Sequence, residues 1–559
     1  MATVAVDPIT TEIIRNAFIS AADEMNATLI RSAYTPIIYE AKDCSVALLD
    51  ADHRVLGQSA GLPIFLGNLE ICVQLTEDRF GRDAWRPGDV WLMNDSFLTG
   101  THLNDMTVFA PIFHDGEIEG FAASRAHWLD IGAKDPGAPM DSTEIYQEGL
   151  RLGPMTIVEG GRLRTDVADI IARNSRFPYP TIGDLHAQIA VTRTGERRLA
   201  AILNRYGADV VWSARDQIFA QSEALDRAAV AVIPDGSYTA EGCLDNDGIS
   251  DEPVWIRLRV EVEGESMTVD LTESSGAAAG AINCGEAQTI SACRVAFKLL
   301  INPDQPVNGG TFRPLRVVVQ PGSLLAAEEP SACQWYFTPL GLLIDLFSKA
   351  LAPVLRTQVA AASYGDSMIT CISGRDDQTG MPFLHIEALV GGWGAWQGCD
   401  GESGLINSVN GAIKDFPIEV VESKYPLRIT RYGFRPDSAG AGAWRGGFGA
   451  VREFEIDCDN AWLSLWYERS KTPAWGLFDG RAGEAGYVTL NPGSSDERRL
   501  LKVNRSPLRR GDIVLGQSGG GGGFGDPTLR DPALVERDVA EGLLTPGDAT
   551  GDYARRSDG

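Results

Sequence analysis

Residues 94–130 read NDSFLTGTHLNDMTVFAPIFHDGEIEGFAASRAHWLD, and the architecture of the N-terminal part turns on them. The apolar run MTVFAPIF (106–113) leads into a polar turn, His114-Asp115-Gly116, and then into a second run, IEGFAASRAHW (118–128). Two such runs joined across an Asp-Gly turn predict a β-hairpin. A hairpin brings its outer ends together, so the pattern predicts that His102, Asp105 and His127 converge on one point. Two imidazoles and a carboxylate suit Zn, Mn or Fe(II) and leave positions open for water or substrate. His-x-x-Asp also occurs as an ordinary hydrogen-bonded pair, so spacing alone leaves both readings open. His114 is expected at an exposed turn.

Working upstream, residues 9–33 place Ile13, Ile14, Phe18, Ala21 and Met25 at helical spacing, with Asp7 before Pro8 as the N-cap. Residues 39–59, YEAKDCSVALLDADHRVLGQS, read as a strand, an Asp-Ala-Asp-His turn and a second strand. Glu40 and Asp43 stand at the first strand's start, where a carboxylate could complete the metal shell or simply cap a turn.

Downstream, GLPIFLGNLEICVQLTEDRF (61–80) predicts a loop and a helix, and RPGDVWLMND (86–95) a turn and a strand. Residues 166–176 and 181–207 carry helical periodicity. Asp184, His186 and Gln188, beside Arg193, Arg197 and Arg198, read as a solvated or interface face. From about Val232 the text alternates with period two, interrupted by helical segments at 289–301 and 335–355. The fold class expected is α+β: a large mixed multi-layer fold. Its parts are a helical and hairpin metal-binding region (1–230), a mixed α/β region (231–450), and a β-rich C-terminal part (451–559) with a glycine-rich loop. Residues 547–559 read as a frayed tail.

That glycine-rich loop, Gly519 to Gly525, contains a G-x-G-x-x-G match that poly-glycine satisfies trivially. It lacks the strand-before, helix-after setting and the Lys-Ser/Thr of a phosphate loop, so nucleotide binding is not placed on this chain. It reads instead as a segment needing positive φ and close backbone approach. Trp393, Trp396, Trp444 and Trp475, in similar text, read as packing residues.

Composition narrows the function classes. With 49 Lys and Arg against 76 Asp and Glu, the 559-residue chain carries a net charge of −27, which argues against nucleic acid and anionic membranes. No apolar run is long enough to span a bilayer, and the first residues lack a signal peptide's pattern, so a cytoplasmic location is expected. The nine cysteines are scattered and never form Cys-x-x-Cys, as expected of reduced thiols. Cys44 and Cys399 lie in polar motifs and leave a thiol nucleophile open.

A longer series of motifs runs nearly end to end: EAKDCS (40–45), NDSFLTGTHLNDM (94–106), HWLDIG (127–132), STEIYQEGLR (142–151), GDLHAQ (183–188) and PDGSY (234–238). It continues with GGWGA…DG (391–401), PIEVVE (417–422), DSAGAGAWRGG (437–447), ERSKTPAWGLFDG (468–480) and GGGGFGDP (520–527). In these the chain resembles the hydantoinase B/oxoprolinase family, which includes the B components of ATP-dependent hydantoinases and lactamases and is related to acetone and acetophenone carboxylase subunits. The resemblance implies a divalent metal, Zn or Mn, at His102, Asp105 and His127, with Asp43 of the E-x-x-D-x-S pattern as a further ligand. It also implies an A-type partner subunit that binds ATP and phosphorylates a cyclic amide, in a hetero-oligomer such as a heterotetramer. Asp130, Glu144 and Glu148 are then candidates for moving protons or orienting ligands, and Arg125 for contacting phosphate. The chain departs from the family pattern at Ala439, at His186 and at Phe65, where many relatives carry glycine, arginine and histidine; the last implies a drier site. Two other readings stand beside the hydrolase: a ketone carboxylase subunit acting on a phosphorylated enol, and a scaffold whose metal is structural.

Overall fold

The computed structural model describes residues 5–553. Seven strands form the first sheet: β1 (Cys44–Asp50), β2 (Val55–Gln58), β3 (Val90–Met93), β4 (Asp105–His114), β5 (Glu117–His127), β6 (Met155–Glu159) and β7 (Arg162–Leu163). Their order is β2-β1-β5-β4-β3-β6-β7. β4 and β5 are the hairpin that the sequence predicts, with Asp105 directly opposite His127. Asp115 and Gly116 at its turn have φ of 51° and 89°, the two positive values that a two-residue type I′ connection needs to match strand twist. His114 is half-buried, with Nε2 3.1 Å from Asn204 Oδ1, rather than free at the turn.

The sheet is apolar on both faces. Every residue of β1 is buried, because helices cover each side. On one side lie Pro8–Ser32, Pro178–Tyr206 and Ala208–Val230. Asp7 caps the first of these, its carboxylate accepting from the Ile9 and Thr10 amides. The helix buries Ile14, Phe18, Ala21, Met25 and Leu29, while Ile13 faces solvent at 47% exposure. On the other side Leu69, Cys72 and Val73 of the helix Leu69–Phe80 pack with Trp85, Trp91, Phe109 and Phe121. Pro63–Leu66, expected as loop, forms a separate helical turn.

The helix Pro178–Tyr206 corrects one expectation. His186 is exposed, but Asp184 and Gln188 point inward. Asp184 accepts from the Tyr34 amide and from Thr35 Oγ1 at 2.6 Å each. Gln188 accepts from Trp128 Nε1 and donates to Met106 O. These contacts tie the open end of the hairpin to the helix layer.

A four-stranded sheet follows, from Gly236–Leu244, Val254–Glu263, Ser266–Asp270 and Leu315–Val318, packed on the helices Glu286–Leu300 and Phe337–Leu351. The division expected at 230/231 falls between the helix Ala208–Val230 and this sheet. The division expected at 450/451 cuts through two sheets. One joins Ile369–Arg375 and Pro382–Ala388 to Asn460–Trp466 and Lys502–Leu508, and the other joins Leu427–Phe434 to Ala450–Ile456 and three later strands. Pairing across residue 450 therefore makes the C-terminal half one unit. Residues expected as tail are helical over Pro546–Tyr553, and the last six lie outside the described residues.

Residues 519–523 thread between three other glycine-rich segments. The Gly521, Gly522 and Gly523 amides donate to Gly447 O, Ala362 O and Arg481 O at 2.8–3.0 Å. A Cβ on Gly521 would lie 1.9 Å from Trp393 O, so close approach excludes any side chain there. Positive φ is not the reason: within 519–525 only Gly525 has it. The segment is a buried structural core, not an open phosphate-binding loop. Among the described residues no helix is long and apolar enough to cross a membrane.

Candidate metal centre

The three ligand-type residues are set by local chemistry. Asp95 caps a helical turn, Ser96–Thr99, which ends at Gly100 in the left-handed region. A Cβ on Gly100 would lie 2.5 Å from the Gln288 backbone nitrogen, so only glycine lets the chain turn there. The following loop is pinned by Asn94, which donates to Leu103 O, and by Asn104, which donates to Trp128 O and Gly137 O. His102 is thereby held over the end of the hairpin. β1 pairs with β5, Cys44 opposite Ala126, so Asp43 arrives beside His127 and its carbonyl accepts from the His127 amide at 3.1 Å.

His102 Nε2, Asp105 Oδ1 and His127 Nδ1 form a triangle with sides of 2.9, 3.0 and 3.2 Å. For ligand bonds of about 2.1 Å, donor atoms stand about 3.0 Å apart at right angles and about 3.4 Å apart in a tetrahedron. The triangle fits one face of either polyhedron. The other nitrogen of His102, Nδ1, lies 3.0 Å from both the backbone carbonyl oxygen and the side-chain amide nitrogen of Gln334. A proton on Nδ1 donated to that carbonyl leaves Nε2 as a lone pair aimed at two further acceptors, an arrangement that calls for a cation. Tyr336 donates its hydroxyl to the second oxygen of Asp105 at 3.0 Å, fixing the carboxylate. Asp43 Oδ1 is buried without any hydrogen-bond partner and lines the same cavity. These features fit a divalent ion with the His102–Asp105–His127 set and room for Asp43.

Electrostatics follow the geometry. Burial opposes charge on Asp105, but the two imidazoles beside it hold its carboxyl well below the usual carboxylate range. Burial lowers His127, whereas at His102 the Asp105 carboxylate outweighs burial and raises it. Burial and the Asp105 charge drive the Asp43 carboxyl well above its ordinary value. A dication nearby reverses that penalty, because it favours the carboxylate form.

The other candidates divide. Glu148 lies directly behind the site: it accepts from Ser142 Oγ at 2.7 Å and from the Cys333 and Gln334 amides at 3.0–3.1 Å. It therefore aims the Gln334 carbonyl at His102, a ligand-orienting position. Arg125 does not reach the cavity. Its three guanidinium nitrogens engage Thr107 Oγ1, Asn68 Oδ1 and Cys72 Sγ, and it lies over the Phe65 ring at 5.4 Å. Asp130 is taken up by Arg176, at 2.8 Å, and by the Gly137 amide, holding a loop rather than moving a proton. Glu144 is exposed, and its backbone bridges to Ser331. Burial pushes the Cys44 thiol up to about 12, which leaves it no thiolate for attack.

Sequence reading misses the far wall. Gln334, Tyr336 and Phe337 lie at the start of the helix Phe337–Leu351, and Ile386, Glu387, Asn410 and Lys414 come from the C-terminal half. No spacing rule links them to residue 102. The one local cue is the polar pair Gln334 and Tyr336 set among buried aromatics. Phe65 does line the cavity, whose wall is largely apolar.

The sequence model of the hydantoinase B/oxoprolinase family matches residues 7–527. The B component of a putative D-/L-hydantoinase from Pseudomonas sp. (strain NS671) is 30% identical over 573 residues, covering 98% of this chain and 95% of that protein. The crystal structure of an ATP-dependent caprolactamase from Pseudomonas jessenii matches with a TM-score of 0.92 at 29% identity, covering 100% of this chain and 97% of that one. A nucleotide-free acetone carboxylase structure matches with a TM-score of 0.89 at 18% identity, covering 99% of this chain and 80% of that one, a likeness of fold.

Proposed function

The chain belongs to the hydantoinase B/oxoprolinase family, and from that membership and the buried His102–Asp105–His127 cluster we propose that it is the metal-dependent subunit of an ATP-dependent cyclic-amide hydrolase. Its substrate, a hydantoin, lactam or oxoproline-type ring, arrives phosphorylated by an A-type ATPase partner in a heteromeric complex. The observation that carries this is the donor triangle at the floor of a largely apolar cavity. The names of the relatives, a hydantoinase component and an ATP-dependent caprolactamase, supply the reaction class.

Phosphorylating the amide oxygen converts the ring carbonyl into an imidate-type ester. Water adds to that carbon and the ring C–N bond breaks, the nitrogen leaving as the amine; the acyl phosphate so formed passes its phosphoryl group to a second water, giving the open amino acid and inorganic phosphate. A divalent ion, Zn or Mn, held by His102, Asp105 and His127 with Asp43 as a further ligand, supplies Lewis acidity and makes water nucleophilic near neutral pH. The chain's own residues set the geometry. Gln334 holds the His102 ring through Nδ1, Tyr336 fixes Asp105, and Glu148 holds the Gln334 amide. The apolar wall, with Phe65 and Phe337, keeps bulk water from the activated carbon.

The fold is shared with an acetone carboxylase, so fold does not choose between hydrolysis and carboxylation, and isotope labelling does. The complex with its partner, given ATP and a cyclic amide without bicarbonate, should place one oxygen from labelled water in the product acid. Dependence on bicarbonate, with its labelled carbon retained in the product, would replace the hydrolase by a carboxylase. Ring opening with ATP by this chain alone would remove the partner from the account.

A further inference from the structure

The activated substrate carries a phosphoryl group, and the cavity has to accept that charge. Three carboxylates already line the cavity: Asp43, Asp105 and Glu387. Glu387 is neutralised from behind by Arg452 Nε at 3.0 Å and His385 Nε2 at 3.1 Å. Arg452 is itself almost fully buried, and its Nη2 donates to Phe416 O. Arg125 is engaged behind Phe65. Neither arginine offers a free fork to a ligand.

Among the described residues, Lys414 is the one lysine or arginine that lines this cavity. It is exposed, and its backbone amide donates to the carbonyl of Ala41, another lining residue, at 2.9 Å, which fixes the stem at the rim. Its ammonium has no hydrogen-bond or ion-pair partner among the described residues. Apart from His102, His127, Gln334 and Asn410, the remaining wall is hydrocarbon and aromatic, with Ile37, Leu62, Phe65, Ile369, Ile386 and Phe416 on it. The enclosed space is small, ≈ 60 Å³, less than the roughly 150 Å³ that holds a benzene-sized ring, so a ring enters it only in part and its phosphoryl group stays at the rim. An unpaired ammonium on a flexible stem is a point-charge receptor for phosphate oxygens.

We infer that Lys414 receives the phosphoryl group of the activated substrate at the rim, and that the cavity takes a small apolar ring carrying no other charge. This rests on the phosphorylated-substrate reading above. A ring with a carboxylate of its own, such as 5-oxoproline, would bring two anions to one ammonium, with no second lysine or arginine lining the cavity among the described residues. An unsubstituted or alkyl-substituted lactam, or a hydantoin with an apolar side chain, has no such conflict.

Two measurements test it. Calorimetry with the metal-loaded chain uses phenyl phosphate as probe, an apolar ring with a single phosphate. Lys414→Met should weaken its binding about five- to tenfold, as for one charge-assisted contact at an exposed rim, while Lys414→Arg keeps most of it. Equal affinity in wild type and Lys414→Met, or no binding by either, would overturn the role of Lys414. Kinetics with the partner complex compare an uncharged seven-membered lactam with 5-oxoproline. A kcat/KM at least about tenfold higher for the uncharged lactam is expected, the cost of one unpaired charge. Equal values would overturn the substrate class and leave the hydrolase reading standing. A complex that opens no cyclic amide would overturn that reading and the substrate class together, and the calorimetry would still decide Lys414.

Discussion

Glu148→Ala should weaken metal binding without touching a ligand. The wild-type carboxylate accepts from one hydroxyl and two backbone amides, all buried. The Ser142 hydroxyl can turn elsewhere, but the Cys333 and Gln334 amides cannot. Each buried amide left without an acceptor costs about 1–3 kcal/mol, so the folded state should lose roughly 2–6 kcal/mol. The Gln334 carbonyl, 3.0 Å from His102 Nδ1, then loses one of its supports, keeping only the Trp335 amide of its own peptide, which donates to Ala281 O at 2.7 Å. Loss of such an outer contact typically lowers metal affinity about 10- to 100-fold. Glu148→Gln keeps a carbonyl acceptor for one or both amides and should fall between wild type and alanine in both respects. The assay is competition for Zn(II) or Mn(II) against a chromophoric chelator, run beside urea unfolding of the same preparations. A Glu148→Ala chain that is destabilised yet binds metal like wild type would refute the link through Gln334. One that unfolds like wild type would refute the burial argument as well.

Three further outcomes rest on named contacts. His102→Ala and His127→Ala should each lose most bound divalent metal by elemental analysis, since each removes one of three converging donors; unchanged content in both would remove the site. Gly521→Ala should prevent folding or cost more than about 4 kcal/mol, because its Cβ would sit 1.9 Å from Trp393 O. The comparison is Gly551→Ala, where a Cβ meets nothing within 4 Å and thermal unfolding should be unchanged. Glu468, buried against Lys502 at 2.6 Å, has its carboxyl raised from 4.5 to about 7, chiefly by burial. A raised folded-state pKa makes its contribution complete below about pH 4.5 and lost as pH rises through about 7. Roughly 3 kcal/mol is at stake across that window, and the decline in unfolding free energy should flatten in Glu468→Gln.

The parts of this molecule legible in its sequence are those governed by local periodicity. The hairpin is readable because Asp115-Gly116 permits two positive φ values and apolar runs flank it on either side. The first helix is readable from Asp7 and its apolar stripe, although the side that Ile13 takes depends on the packing partner. Asp184 and Gln188 read as solvated because polar residues on a long helix usually are. They turn inward because the Tyr34 amide and the Trp128 indole need acceptors, and neither is near them in sequence. The division expected at 450 fails for a similar reason. Strand text shows where strands lie but not which of them pair. In one C-terminal sheet Ile369 lies opposite Trp466 and Arg375 opposite Asn460, separations of 97 (466 − 369) and 85 (460 − 375) residues that no local pattern encodes.

The same contrast of local and distant explains how the site is built. The three donors come from one short stretch, residues 102–127, so their convergence needs little beyond a correct hairpin and the loop pinned by Asn94 and Asn104. Beyond Ile37, Leu62 and Phe65, the walls that would select a substrate come from residues 334–337, 369–388 and 410–416, and the last two of these reach the donor triangle only once the C-terminal sheets have assembled. The glycine core at 519–523 sits at the centre of that assembly, hydrogen-bonded to Ala362, Gly447 and Arg481. A side chain there would push apart the backbones that carry the wall. The proposed metal chemistry and substrate selection therefore draw on different parts of the chain. The first depends on the N-terminal hairpin and its Gln334–Glu148 support, and the second on how closely four glycine-rich segments pack.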